Sequence, residues 1–163
     1  MSKFTIGTVV ASVLILGGIV WISYPKDGAR VKPASGGGIV LAADHNSFDF
    51  GSISMAKGKV NHVFTFKNSG SEPVKLTKFY TSCMCTAANI EVNGKTYGPY
   101  GMVGMGIDTL NETLEPGSEA KVTVIFDPAA HGPAGVGSII RDITVENNGG
   151  GPFVYEISAN VTP

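Results

Sequence analysis

The chain has 163 residues, of which 43% are hydrophobic and 15% are charged, and its formal net charge is −1. This length accommodates one compact domain of about 100 to 130 residues with an appendage, and it excludes a second full domain. The near-neutral charge and the scattered lysines and arginines exclude a nucleic-acid-binding surface, which needs a concentrated basic face to neutralise phosphates.

The first 24 residues contain a long apolar segment. From Phe4 to Tyr24 the sequence carries no charge, which is about the length that a helix needs to cross roughly 30 Å of hydrocarbon. Trp21 lies near its far end, where aromatic rings favour the headgroup region, and Pro25 ends the helix. We predict a transmembrane signal-anchor over residues 1–24. A cleaved secretory signal is the alternative, but the apolar segment is long for one and no small-x-small cleavage site follows it.

Residues 25–43 separate this segment from the rest of the chain. They include Pro25, Pro33 and three consecutive glycines, a composition that cannot bury a core and is typical of a flexible linker. Positive charges flank the apolar segment on both sides in similar number, so they do not decide its orientation. A short tail before a first apolar helix is the usual layout of a secretory anchor, which favours a domain outside the cytoplasm, in the periplasm or at the cell surface.

Residues 44–163 contain segments of strand length separated by Gly, Pro, Asn and Asp. Hydrophobic residues alternate with polar ones most clearly from Val60 to Phe66 and from Phe153 to Val161, as in a strand with one buried face. The predicted strands are Phe48–Ile53, Val60–Phe66, Val74–Ser82, Ala87–Val92, Val122–Phe126, Ser138–Glu146 and Phe153–Val161. Seven short strands in this length predict an all-β antiparallel sandwich of two sheets, with a small barrel as the structural alternative.

Five segments of the predicted domain carry a family resemblance: Phe48–Ile53, His62–Gly70, Thr81–Thr86, Glu115–Gly117 and Val122–Pro128. Together they resemble the bacterial immunoglobulin-like domains of uncharacterised function, which are similar to the Hydin and major-sperm-protein sandwiches. The Ser-Cys-x-Cys-Thr element is the specific part of this resemblance, which covers residues 44–162. It implies a seven-stranded immunoglobulin-like sandwich, usually exported or anchored to lipid or membrane, with no established enzymatic activity.

This chain departs from the family pattern at two places. Met84 stands where the commonest family residue between the two cysteines is glycine, and the stretch from Val92 to Thr113 is long and rich in glycine. Both departures put methionine near the cysteines, which indicates a local specialisation.

The only two cysteines, Cys83 and Cys85, are separated by one residue at the end of a predicted strand. A disulfide across this spacing is hard to form, because it needs a Cβ separation of about 3.8 Å and a dihedral angle of about 90°. In an extended backbone, residues two positions apart project to the same side. We therefore expect both sulfur atoms to face one point and Met84 to face away.

Two converging sulfur atoms point to a soft metal ion, because thiolate and thioether ligands select Cu(I) over hard ions. Met102 and Met105 lie in the glycine-rich loop, and His131 lies in another loop. We predict a Cu(I) site with Cys83 and Cys85 as thiolate ligands and with His131, Met102 and Met105 as candidate completing ligands.

Other roles for these residues stay open. Methionine more often fills gaps in a core than binds metal, and a buried cysteine pair can pack as small hydrophobic residues. Structural zinc would need four closed ligands, and the other histidines are His45, expected in solvent, and His62, expected in the core or at a sheet edge. A thiol-redox role is a third alternative, since a strained cysteine pair would be oxidising, although the spacing differs from Cys-x-x-Cys.

The sequence lacks the common catalytic motifs for serine nucleophiles, zinc hydrolases, phosphate loops and dinucleotide binding. Arg141 alternates with Ile139 and Ile143 on an otherwise apolar face, where we expect it to extend to a sheet edge or to meet an acidic partner. We predict a membrane-tethered binding or scaffolding module without enzymatic activity, with envelope proteins as partners. A structural or protein-interaction module without metal is the alternative.

Overall fold

A computed structural model describes residues 40–163 of the chain. The predicted signal-anchor and residues 25–39 of the predicted linker lie outside this range. Within the described range, no helix is long and apolar enough to cross a membrane.

Residues 40–163 form ten strands and two short 3-10 helices, at Met55–Lys57 and Gly132–Gly135. The strands are β1 (Leu41–Ala43), β2 (Ser47–Ser54), β3 (Val60–Asn68), β4 (Val74–Thr81), β5 (Thr86–Val92), β6 (Lys95–Tyr100), β7 (Thr109–Leu114), β8 (Glu119–Phe126), β9 (Gly137–Asn147) and β10 (Phe153–Thr162).

The all-β sandwich is confirmed, but the described residues form ten strands instead of the predicted seven. All seven predicted segments are strands, and β1, β6 and β7 are additional. β1 has only three residues, taken from the end of the predicted linker. β6 contains Gly98-Pro99, and β7 buries Leu110 and Leu114, four positions apart. None of the three shows the continuous alternation that reveals a strand in a sequence.

The strands form two five-stranded sheets that face each other. One has the order β1-β3-β8-β5-β6 and the other β2-β10-β9-β4-β7. β2 runs parallel to β10, in contrast to the predicted antiparallel arrangement, and the other neighbouring pairs are antiparallel. The β4–β5 and β8–β9 connections both pass from one sheet to the other, and they carry the residues of interest.

The core fills the space between the sheets. Alternate residues of β3, β8 and β10 are buried, as their hydrophobic pattern predicts. Phe64 and Tyr155 stack across the core with ring centroids 4.5 Å apart. Each fully buried large apolar side chain contributes about 1.5 to 3 kcal/mol to stability. The core therefore fixes the positions of the strand ends that the connections join.

Candidate metal centre

The two cysteines lie in a tight turn between β4 and β5. The backbone N–H of Thr86 donates to the carbonyl oxygen of Cys83 at 3.0 Å, which closes the turn. The buried Thr81 hydroxyl lies 3.1 Å from the Cys83 carbonyl oxygen and 2.9 Å from that of Thr86. The extended backbone predicted for this segment is therefore wrong, because these hydrogen bonds bend the chain where it changes sheets.

The turn nevertheless brings the two sulfur atoms together. The Sγ atoms of Cys83 and Cys85 are 2.7 Å apart, and both residues are free thiols. The backbone N–H of Cys85 also donates to Cys83 Sγ, at 3.4 Å. Met84, between them, is 60% exposed, which agrees with the prediction that it faces away from the pair.

His131 approaches the pair from the β8–β9 connection. Its Nε2 atom lies 3.3 Å from Cys83 Sγ. The ligand atoms of Cys83, Cys85 and His131 all lie within 4.8 Å of one another. The two connections are joined directly, since the backbone N–H of Asp127 donates to the Cys85 carbonyl oxygen at 2.9 Å. The structure thus brings together three of the five residues predicted to bind metal.

Arg141 completes the cluster, although its sequence pattern did not predict a place in this site. Its Nε donates to Cys85 Sγ at 3.2 Å, and its Nη1 donates to the Ile140 carbonyl oxygen at 2.7 Å. The Ser82 N–H donates to the Asp142 carbonyl oxygen and the Asp142 N–H donates to the Ser82 hydroxyl, both at 2.9 Å, which holds β9 against the start of the turn. The signal in the sequence was a charged residue on an inward face, but its partner turned out to be a sulfur atom instead of a carboxylate.

These contacts act differently on the two thiols. Burial raises the pKa of Cys83, but hydrogen bonds from Cys85 and from His131, with the charge of Arg141, outweigh burial and lower this pKa to about 7. Burial and the hydrogen bond to Cys83 raise the pKa of Cys85, against the effect of Arg141. Near pH 7 the Cys83 thiol is therefore about half ionised, while Cys85 remains a thiol that donates to the Cys83 sulfur atom.

The methionine loop runs beside the end of β4. Met102 and Thr81 form an isolated parallel bridge, and the Thr81 N–H donates to the Gly101 carbonyl oxygen at 2.9 Å. Met102 is half-buried, whereas Met105 is 63% exposed. The backbone of Met102 thus lies close to the turn, and metal binding by Met102 and Met105 stays a prediction.

The other two histidines form a separate pair. Their Nε2 atoms are 3.0 Å apart. His45 is exposed to solvent, as predicted, and it also contacts His62. His62 stacks on Phe48 with ring centroids 3.6 Å apart and is half-buried at the edge of the core, as predicted. Burial and the neighbouring His45 lower the pKa of His62.

The first part of the described domain matches a known family. Residues 41–103 match the model of a family described as a protein of unknown function, DUF1573. The matched segment begins at β1 and includes both cysteines, but it ends before His131 and Arg141. No curated protein matches the sequence.

The first two of three similar solved structures share the sandwich fold, at low sequence identity. A protein of unknown function from Porphyromonas gingivalis is 16% identical, with a TM-score of 0.56 over 75% of this chain and 46% of its own. A family 123 glycoside hydrolase from Clostridium perfringens is 10% identical, with a TM-score of 0.50 over 71% of this chain and 22% of its own. A PapD-like domain of human CEP192 is 15% identical, with a TM-score of 0.44 over 85% of this chain and 97% of its own. The chain thus spans less than half the length of the first two structures.

Proposed function

We propose that this protein is a membrane-anchored, extracytoplasmic immunoglobulin-like binding module that holds Cu(I) between Cys83, Cys85 and His131. The observation that carries the proposal is the meeting of two thiols and an imidazole within 4.8 Å of one another. The anchor and the location rest on the apolar segment of residues 1–24 and on the resemblance to exported Hydin-like bacterial domains.

Ligand chemistry favours a soft ion at this site. Thiolates bind Cu(I) and other soft ions in preference to Mg²⁺ or Ca²⁺, which take oxygen ligands. Among residues 40–163, the cluster contains three side chains of the His, Cys, Asp and Glu types. Structural zinc sites are closed by four such ligands, so a three-ligand set fits Cu(I) better.

The charge of the cluster also favours a monovalent ion. Two thiolates and Cu(I) leave one negative charge, and the guanidinium of Arg141, 3.2 Å from Cys85 Sγ, neutralises it. With Zn²⁺ and a neutral His131, the same groups would carry an excess positive charge. A half-buried site is more stable when its charges balance, because unpaired charges lose hydration without compensation.

Metal binding requires a small movement of the thiols. Metal–sulfur bonds near 2.3 Å in a trigonal site put the two sulfur atoms about 4 Å apart, whereas they are 2.7 Å apart in the structure. Rotation of the half-buried Cys83 side chain supplies this separation most easily, since Cys85 is only 3% exposed. The exposed His131 then closes the third position from the solvent side.

The test is a Cu(I) titration of the full-length protein in detergent under reducing conditions, in competition with a chromophoric chelator. We expect one tightly bound equivalent, which the Cys83→Ser, Cys85→Ser double variant loses. His131→Gln should weaken binding, while the matched control His45→Gln should not, because His45 contacts His62 and lies outside the cysteine cluster. Equal uptake by the native protein and the double variant would contradict the proposal.

Protein binding through exposed loops, with the cysteines serving structure only, is the second candidate function. It is favoured by four apolar side chains exposed on the cysteine turn and on the β6–β7 loop, which are Met84, Val103, Met105 and Ile107. The β6–β7 loop lies against the end of β4, where the cysteine turn begins, since the Val103 N–H donates to the Thr81 carbonyl oxygen at 3.3 Å. Exposed apolar surface of this kind often marks an interaction site. Under this alternative, Cu(I) uptake does not depend on the cysteines.

A further inference from the structure

We propose that Cys83 and Cys85 also form a reversible intramolecular disulfide by exchange with a low-molecular-weight disulfide, and that this bond prevents metal binding. The exchange activity concerns the cysteines alone, and the loss of metal binding rests on the function proposed above. The site would then hold metal only in its reduced state.

The turn removes the main obstacle to this reaction. A disulfide across one intervening residue is difficult in an extended strand, but here the backbone bends between Cys83 and Thr86 and the two Sγ atoms already touch. A ring this small remains strained, and strained disulfides are the more easily reduced and regulatory ones. The bond we propose is therefore a switch and not a permanent crosslink.

The surroundings assign different roles to the two thiols. Cys83 is half-buried and lies beside His131, whose Nε2 is 3.3 Å from its sulfur atom, so it can meet an incoming disulfide. Cys85 is 3% exposed, so a disulfide in solution has little access to its sulfur atom. Arg141, donating to Cys85 Sγ, stabilises the thiolate that Cys85 must form in the second step. Cys83 thus attacks and Cys85 resolves.

The reaction balances in two exchanges. The Cys83 thiolate attacks one sulfur atom of the disulfide RSSR, forming a Cys83–SR bond and releasing RS⁻, which takes up the proton that Cys83 lost on ionisation. Cys85 then loses its proton to water, attacks the Cys83 sulfur atom and releases the second RS⁻, which is protonated in turn. Overall, two protein thiols are oxidised to one disulfide and RSSR is reduced to two RSH.

Metal and disulfide exclude each other at this site. A disulfide sulfur atom has no thiolate charge to offer a metal, and a metal-bound thiolate is not free to attack. We therefore expect Cu(I) to protect the cysteines from oxidation, and oxidation to abolish Cu(I) uptake.

The experiment treats metal-free, full-length protein with glutathione disulfide and follows the products by mass spectrometry. In the native protein we expect the loss of two hydrogen atoms, reversed by reduced glutathione. In Cys85→Ser we expect a mixed disulfide with glutathione trapped on Cys83. In Cys83→Ser the reaction of Cys85 should be slower by about tenfold or more, because a buried thiol is hard to reach.

Circular dichroism checks that both variants keep their β-sheet structure. The proposal is overturned if the native protein keeps two free thiols, or if it accumulates only glutathione adducts without the internal bond. It is also overturned if Cys83→Ser reacts as fast as Cys85→Ser. Because the assay contains no metal, its failure leaves the Cu(I) proposal standing, and a failed Cu(I) titration leaves the exchange activity standing.

Discussion

The role of Arg141 at the cysteine site follows from its position and its contacts. It lies on the inward side of β9 between Ile139 and Ile143, where a charged side chain is costly unless it has a partner. The Nε of its guanidinium donates a hydrogen bond to Cys85 Sγ. The arginine thus stabilises the form of the site in which both cysteines are thiolates, which is the form that binds metal.

We expect Arg141→Gln to weaken Cu(I) binding by about 10- to 100-fold, because a hydrogen bond to a charged group contributes about 1.5 to 3 kcal/mol. Arg141→Lys keeps the positive charge but not the planar donor, and it should lose less affinity. Competition with a Cu(I) chelator measures both constants. Unchanged affinity in Arg141→Gln would show that the arginine has only a structural role.

The reactivity of Cys83 should follow its lowered pKa. A thiol whose pKa falls from 9.0 to about 7 is a thiolate at lower pH, so alkylation of Cys83 in the metal-free protein should reach half its maximal rate near pH 7. His131→Gln removes one of the hydrogen bonds that lower this pKa, so its midpoint should lie at higher pH. Site-resolved mass spectrometry of iodoacetamide labelling gives both curves. A midpoint near pH 9 in the native protein would contradict the described contacts.

At the scale of elements, alternation of hydrophobic and polar residues predicts a strand wherever it continues over several positions. The seven segments chosen on that pattern are all strands, whereas β1, β6 and β7 were missed because they lack it. The cysteine turn could not be predicted from the sequence either. The hydrogen bond from the Thr86 N–H to the Cys83 carbonyl oxygen depends on the change of sheet after β4, which no local sequence pattern indicates.

The β3–β4 connection depends on one buried side chain. Asn68 donates to the carbonyl oxygens of Glu72 and Leu114 at 2.8 and 2.9 Å, and its Oδ1 accepts from the Gly70 N–H at 3.0 Å. We expect Asn68→Ala to lower the free energy of unfolding by about 2 to 4 kcal/mol, because it leaves buried backbone groups without partners.

Urea denaturation of full-length protein measures this loss. Asn61→Ala, at an exposed position of the same strand, is the matched control and should change stability by less than about 0.5 kcal/mol. Equal effects at the two positions would show that the hydrogen bonds of Asn68 contribute little.

At the scale of the whole molecule, the site exists because two crossovers between the sheets meet at one end of the sandwich. Cys83 and His131 are 48 positions apart in the sequence, and a hydrogen bond between Asp127 and Cys85 joins their connections. Donor chemistry alone selects both cysteines and His131 in the sequence. Their distances, and the contact with Arg141, follow from the register of β4, β5, β8 and β9, which no sequence pattern reports.

The central claim is that two thiolates and one imidazole of the same chain hold one Cu(I) ion. X-ray absorption spectroscopy of the Cu(I)-loaded, full-length protein tests it most directly. We expect two sulfur neighbours at about 2.3 Å and one nitrogen neighbour at about 2.0 Å from each copper ion, with the nitrogen lost in His131→Gln. Copper surrounded only by nitrogen and oxygen atoms, or the same spectrum in the Cys83→Ser, Cys85→Ser variant, would contradict it.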